Sequence, residues 1–150
     1  MPDDDPAGHD GPVVEVELSV RDDDYPFVAA AQAEDCVVEL AEMVPREDAY
    51  AEFFTVRGAD PERIADLAAS HGAVESSLLE TRDDVALFEF RVSEDCPAVA
   101  LAERGALPRD VTAADGEGRI VVNVPPRYDP ASVIEPFLEG HEDATLVSKR

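Results

Sequence analysis

The chain writes one structural sentence twice, and that repetition limits what it can fold into. Pro26 and Pro97 each open an apolar run behind carboxylates, Asp22-Asp23-Asp24 before the first and Glu94-Asp95 before the second. A β-rich stretch, Ala51-Glu52-Phe53-Phe54-Thr55-Val56, leads to Asp60-Pro61 and ends near His71. Its echo, Ile120-Val121-Val122-Asn123-Val124, leads to Asp129-Pro130 and ends near His141. A period of about 70 residues with one order of elements means two copies of one supersecondary unit.

Periodicity supplies the elements. Val14, Val16, Leu18 and Val20 alternate with polar residues, the pattern of a half-buried strand. Asp24 is positioned to cap a short Ala-rich helix with Pro26 in its first turn. Cys36 to Val44 and Tyr50 to Val56 read as hairpin partners, and Asp60-Pro61 opens a helix with Ile64, Leu67, Ala68 and His71 on one face. Gly72 suits that helix's exit, and Val74 to Glu80 closes the unit. The second unit repeats this with Ala86 to Val92, a helix over Pro97 to Arg104 stopped by Gly105, a weaker strand over Pro108 to Ala114, and a strand through Ile120 to Val124. Asp115-Gly116-Glu117-Gly118 is a hairpin-turn signal. Asp129 caps a helix through Val133 and Phe137 that Pro136 should kink or shorten, and Ala144 to Ser148 is the last strand. The expected class is α+β: tandem ferredoxin-like βαββαβ repeats, each an antiparallel four-stranded sheet with helices on one face. The expected boundaries are a disordered acidic tail over 1–12 and ferredoxin-like units over 13–81 and 84–150.

Charge narrows the setting. The formal charge is −23, from 35 acidic and 12 basic residues, and Lys149 is the lone lysine. Such a charge repels itself in a compact state, a repulsion that fades once about 1 M salt shortens the Debye length to about 3 Å. An intracellular protein of an extreme halophile is expected. The arginines are scattered singly among carboxylates and offer no clustered footprint for phosphates, so no direct nucleic-acid contact by this chain is expected. The Asp-, Gly- and Pro-rich start is not a signal peptide, and no run approaches the ~18 apolar residues of a membrane helix, so the cytoplasm and no membrane contact are expected.

The segments Ala51-Glu52-Phe53-Phe54-Thr55-Val56-Arg57-Gly58-Ala59-Asp60-Pro61, Ser93-Glu94-Asp95-Cys96-Pro97-Ala98 and Asp115-Gly116-Glu117-Gly118-Arg119-Ile120 resemble haloarchaeal transcription regulators of the bacterio-opsin-activator type. The closing Leu146-Val147-Ser148-Lys149-Arg150 fits the same pattern, and the resemblance covers roughly Val13 to Arg150. In that family a regulatory domain of this kind precedes a C-terminal helix-turn-helix. No segment here reads as a recognition helix, so the DNA-binding role is carried onto no residue. The resemblance implies the regulatory half of such a factor, truncated or standing alone. Its implied partners are a helix-turn-helix domain in cis or a partner protein, with a small-molecule effector and a homodimer as further candidates.

Few residues could carry chemistry. Cys36 and Cys96 are the redox candidates. Cys96 falls at a predicted helix start, where the dipole favours a thiolate, while Glu94 and Asp95 oppose it; a disulfide to Cys36 is one functional reading, and two small buried residues at element boundaries is the plainer one. His9 lies in the tail, and His71 and His141 sit at matching helix ends. No Cys-x-x-Cys or His-x-x-x-His occurs, so neither a metal site nor a cofactor is expected. Carboxylate pairs such as Glu62 and Asp66 belong to a solvated face, and Tyr25, Phe27, Phe53, Phe54, Phe88 and Phe90 to packing. An enzyme would need a polar residue aimed inward from a core strand, for which Ser76 and Thr55 are the candidates, neither beside an obvious base. The expected function is a non-catalytic sensor domain of a transcription regulator; the alternatives are a stand-alone protein-interaction module and, third, a dimeric α+β barrel enzyme.

Overall fold

A computed structural model describes residues 12–21, 25–47, 49–70, 73–92 and 96–150. Along the chain run β1 (Val14–Val20), α1 (Pro26–Ala33), β2 (Val37–Pro45), β3 (Tyr50–Arg57), α2 (Pro61–Ser70), β4 (Ala73–Arg82), β5 (Val85–Val92), α3 (Pro97–Glu103), β6 (Leu107–Ala114), β7 (Glu117–Val124), α4 (Pro130–Gly140) and β8 (Thr145–Lys149). The β-α-β-β-α-β order therefore occurs twice, in an α+β fold as the periodicity implies. The helix openings at Pro26, Pro61, Pro97 and Pro130 all fall where the repeated proline stands. The tail over 1–11, the cap at Asp24, and His71 and Gly72 lie outside the described residues. Tyr25 occupies the N-cap of α1 and makes no side-chain cap bond, whereas the Asp60 carboxylate accepts the Glu62 N–H of α2 at 3.0 Å. α4 runs on through Pro136, whose ring nitrogen has no proton to give the Ser132 carbonyl.

The strands form one eight-stranded antiparallel sheet in the order β4-β5-β3-β2-β6-β7-β1-β8. Two self-contained ferredoxin-like units would each keep their own first strand between their third and fourth. Here β5 lies between β3 and β4, and β1 lies between β7 and β8. The units have exchanged first strands. The two-residue turn at Asp83 and Asp84 accounts for this: Asp83 adopts φ 56°, and the tight hairpin folds β5 straight back on β4 from Arg82↔Val85 onward. That takes the slot β1 would fill, and β1 crosses to the matching vacancy. The Asp115-Gly116 turn reads as expected, with φ 55° and 79° joining β6 to β7.

One face of the sheet is the core side. Leu18, Ile120 and Val111 stand level across β1, β7 and β6, and Val38, Val56 and Ala86 stand level across β2, β3 and β5. All are buried under the helices. Phe27 on α1 stacks on Phe54 of β3 at 5.6 Å, and Phe54 continues to Phe90 and Phe88. Each fully buried phenylalanine is worth about 2–3 kcal/mol of transfer free energy. α1 lies close on β7 because Gly118 has no side chain: a Cβ there would stand 2.7 Å from Val20 and 3.0 Å from Phe27. The opposite face carries ion pairs, with Arg119 bridging Glu17 and Asp110 at 2.9 Å each above the buried Val121.

Candidate functional site

On β3, Glu52, Phe54 and Val56 alternate toward the helices. That parity drives a carboxylate into the core. Glu52 is 1% exposed and is the only buried charged side chain among the described residues. Its level neighbours are Met43 on β2 and Phe90 on β5. α3 begins directly over it, and the thiol of Cys96, the N-cap residue, donates to Glu52 Oε2 at 2.9 Å. Burial pushes the Glu52 carboxyl from its ordinary 4.5 up to about 7, against the pull of the Cys96 hydrogen bond. The Cys96 thiol is pushed well above its ordinary value by burial, and further by the charge and hydrogen bond of Glu52; the Ala98 and Val99 N–H groups pull the other way and lose. The pair is therefore a thiol donating to a carboxyl that gives up its proton only near neutral pH. The helix start, taken alone, favours a thiolate; desolvation and the facing carboxylate reverse that.

A second feature lies beside the pair, at the seam where the two halves of the sheet meet. β2 and β6 are paired at Val38↔Ala113 and Glu39↔Thr112, and among the described residues no further pair joins them. Beyond that point both strands bulge at the same level, β2 between Leu40 and Glu42 and β6 between Pro108 and Asp110. Pro108 adds a position with no N–H to offer. The result is a half-open cleft of about 240 Å³ walled by residues 40–43 and 107–111. Met43, on its wall, is the ladder partner of Glu52.

A family model described as BAT, the GAF and HTH_10 associated domain, matches residues 12–150. The chain belongs to the BAT domain family. The resemblance carried by the strand and turn segments above is thus established over nearly the whole chain. Comparison with curated proteins gives no match. The description of the BAT domain associates it with GAF and HTH_10 domains. Among the described residues each helix of this BAT domain has a strand on either side, so no two helices follow one another as a helix-turn-helix requires.

The remaining candidates are dispersed over the BAT domain. Cys36 precedes β2, 5% exposed, with its thiol donating to the Ala30 carbonyl at 3.5 Å; burial raises it first, then Glu34 and Asp35. Cys36 and Cys96 are both free thiols, not bonded to each other. His141 caps α4, its Nδ1 2.9 Å from the Phe137 carbonyl and its ring stacked on Phe137 at 4.2 Å. Glu62 and Asp66 are exposed on α2. Thr55 faces away from the helices and donates to the Glu39 carbonyl at 3.4 Å, while Ser76 is half-buried on the outermost strand β4. The inward polar residue is Glu52 instead. Sequence reasoning missed it because Phe53 and Phe54 stand side by side and leave the parity of β3 undecided. Among the described residues no three His, Cys, Asp or Glu side chains converge as a metal site would, and no helix is long and apolar enough to cross a membrane.

Proposed function

We propose that this BAT domain is the regulatory domain of a haloarchaeal transcription regulator, working in the cytoplasm through a helix-turn-helix domain carried in cis or by a partner, with no reaction of its own. The observation that carries the reading is the match over residues 12–150 to a domain associated with GAF and HTH_10 domains. Two features support it. Arg21, Arg46, Arg57, Arg63, Arg82, Arg91 and Arg119 each stand within ion-pair distance of a carboxylate, which leaves little positive charge for phosphates. Glu52 and Cys96, the groups with the most perturbed protonation, are sealed in the core where a substrate has no contact with them.

The test removes the coding segment for residues 12–150 from its native locus and compares transcript profiles, alongside a titration of duplex DNA with the purified chain. Changed transcript levels with no DNA binding by the chain itself support the reading. An unchanged profile, or tight binding of DNA by this chain alone, overturns it. The salt-adapted part of the reading predicts that far-UV circular dichroism collapses when about 2 M salt is dialysed to about 50 mM, as screening of the −23 charge is withdrawn. An unchanged spectrum removes it.

A further inference from the structure

The sheet ends in two edges, and they are not equally guarded. β8 is five residues long, and its pairing with β1 sets Lys149 level with Val16, on the side the helices cover. A charge turned to that side discourages a further strand, and this one is the only lysine in the chain. β4, ten residues long, has neither lysine nor proline. Its charges, Glu75, Glu80 and Arg82, stand level with Arg91, Leu87 and Val85, all on the face away from the helices. The helix side of the edge carries only Ser76, Leu78 and Thr81 between Glu75 and Arg82, level with Phe90, Phe88 and Ala86. Among the described residues β4 has β5 on one flank and no strand on the other. Leu78 and Leu79 are each 48% exposed there.

A bulge gives this edge a symmetry. Leu78 pairs with Phe88 and Glu80 with Leu87, so Leu79 is an extra residue with no opposite number on β5. In an unbroken strand, residues an odd number apart lie on opposite faces. The extra residue restores parity, and Glu75 and Arg82 share the outer face. Counted outward from the Leu78-Leu79 bond, the faces read the same in both directions. Ser77 and Glu80 are outer, Ser76 and Thr81 are on the helix side, and Glu75 and Arg82 are outer again. A regular strand cannot follow a bulged edge face for face, but a second β4 can, because it brings the same extra residue to the same place.

We infer that the BAT domain pairs with a second copy of itself, β4 antiparallel to β4, about a two-fold axis between Leu78 and Leu79. Leu78 then meets the partner subunit's Leu79, and Glu75 meets the partner subunit's Arg82 at both ends. Opposite charges facing across two strands attract, and like charges repel. A slip of the axis by one residue, to between Ser77 and Leu78, would set Glu75 against the partner subunit's Glu80. In a chain of net charge −23 most of the surface repels its own copy, and this register opposes no two like charges. The two-fold uses up both free edges and stops at the dimer, whereas β4 against β8 would leave an open end at every addition. Eight residues a side is small beside stable interfaces, which bury about 1,600 Å². The expected dissociation constant is accordingly about 10–100 µM.

Sedimentation equilibrium of the intact chain in about 2 M KCl should show a monomer–dimer equilibrium that goes no further. Leu79→Ser should weaken the dimer at least about tenfold, since each dimer loses two buried leucines. Glu75→Arg and Arg82→Glu each oppose like charges at both ends and should each weaken it at least about threefold in this salt. The double variant restores opposite signs and should return to the wild-type value. All four residues are exposed and the present ion pairs of Glu75 and Arg82 are surface pairs, so circular dichroism should stay unchanged. Cross-linking reads the register. Mild oxidation of Ser76→Cys mixed with Thr81→Cys should give a disulfide-linked dimer, and either variant alone should give none; Cys36 and Cys96 are buried and leave the wild type as a clean control. A monomer up to about 1 mM overturns the inference. So does assembly past the dimer, a dimer that Leu79→Ser and the single charge reversals leave intact, or a mixture that fails to cross-link. The transcript profiles read regulation and these experiments read pairing, so either can fail without the other.

Discussion

The two halves of the sheet place different chemistry at the same address. Glu52 stands opposite Phe90 on β5 as Ile120 stands opposite Leu18 on β1. Over each lies the start of a helix, Cys96 capping α3 above Glu52 and Tyr25 capping α1 in the other half. One level along, Tyr50 opposite Val92 answers to Gly118 opposite Val20. One half is thus apolar throughout at this level, and the other buries a carboxyl with a single thiol for company. A duplicated fold tolerates this because either half needs only a filled volume there. What the polar half gives up in stability it converts into sensitivity to protons.

Making the apolar half imitate the other should have the largest effect. Ile120→Glu places a carboxylate at a fully buried site with no thiol above it, and should cost about 4 kcal/mol or more in urea unfolding, enough to unfold a marginal domain. The reverse imitation, Glu52→Leu, should stabilise the protein by about 2–3 kcal/mol at pH 8. Its sign depends on pH. The native state holds the Glu52 proton up to about 7, whereas the unfolded chain releases it near 4.5. The stability that this site contributes is therefore fully present below about 4.5 and lost as pH rises to about 7, about 3 kcal/mol in all. Wild type minus Glu52→Gln, measured across that window, isolates the effect from the other carboxylates; a flat difference would remove the asymmetry between the halves.

The close approach of helix to strand gives a smaller contrast. Gly118→Ala pushes a methyl into Val20, Phe27 and Val28 and should cost about 2 kcal/mol, while Tyr50→Phe at the matching level, which loses the hydrogen bond to Glu103, should cost under about 1 kcal/mol. Cys96→Ala completes the series at about 1 kcal/mol, more at pH 8 than at pH 5 because the lost thiol serves an ionised Glu52 best. Equal costs at both pH values would mean the thiol only fills space.

Much of this fold was legible because it is written locally. Alternation in Val14 to Val20 and Ala86 to Val92, the repeated Asp-Pro and the Asp115-Gly116 turn each act over a few residues, and each element stands where those signals put it. What escaped is non-local. Asp83-Asp84 reads as a boundary between units, yet it is a tight hairpin, and that one turn decides which half owns β1 and β5. The cleft is hidden for a similar reason: the bulges near Glu42 and Arg109 become one feature only when β2 meets β6, more than sixty positions away along the chain. Glu52 was within reach, since the parity of Phe54 and Val56 carries it inward, but Phe53 obscured that parity.

The exchanged strands also set an order of events at birth. β1 leaves the ribosome before every other strand of this sheet, yet its partners are β7 and β8, which span residues 117–149. Val16, Leu18 and Val20 must therefore wait, unpaired, until β7 and β8 have been made. Contacts of such long sequence separation slow folding and lengthen the time that apolar strand edges stay exposed. The acidic residues interleaved with them, Glu15 and Glu17, keep that waiting strand in solution as well as facing solvent once it is home.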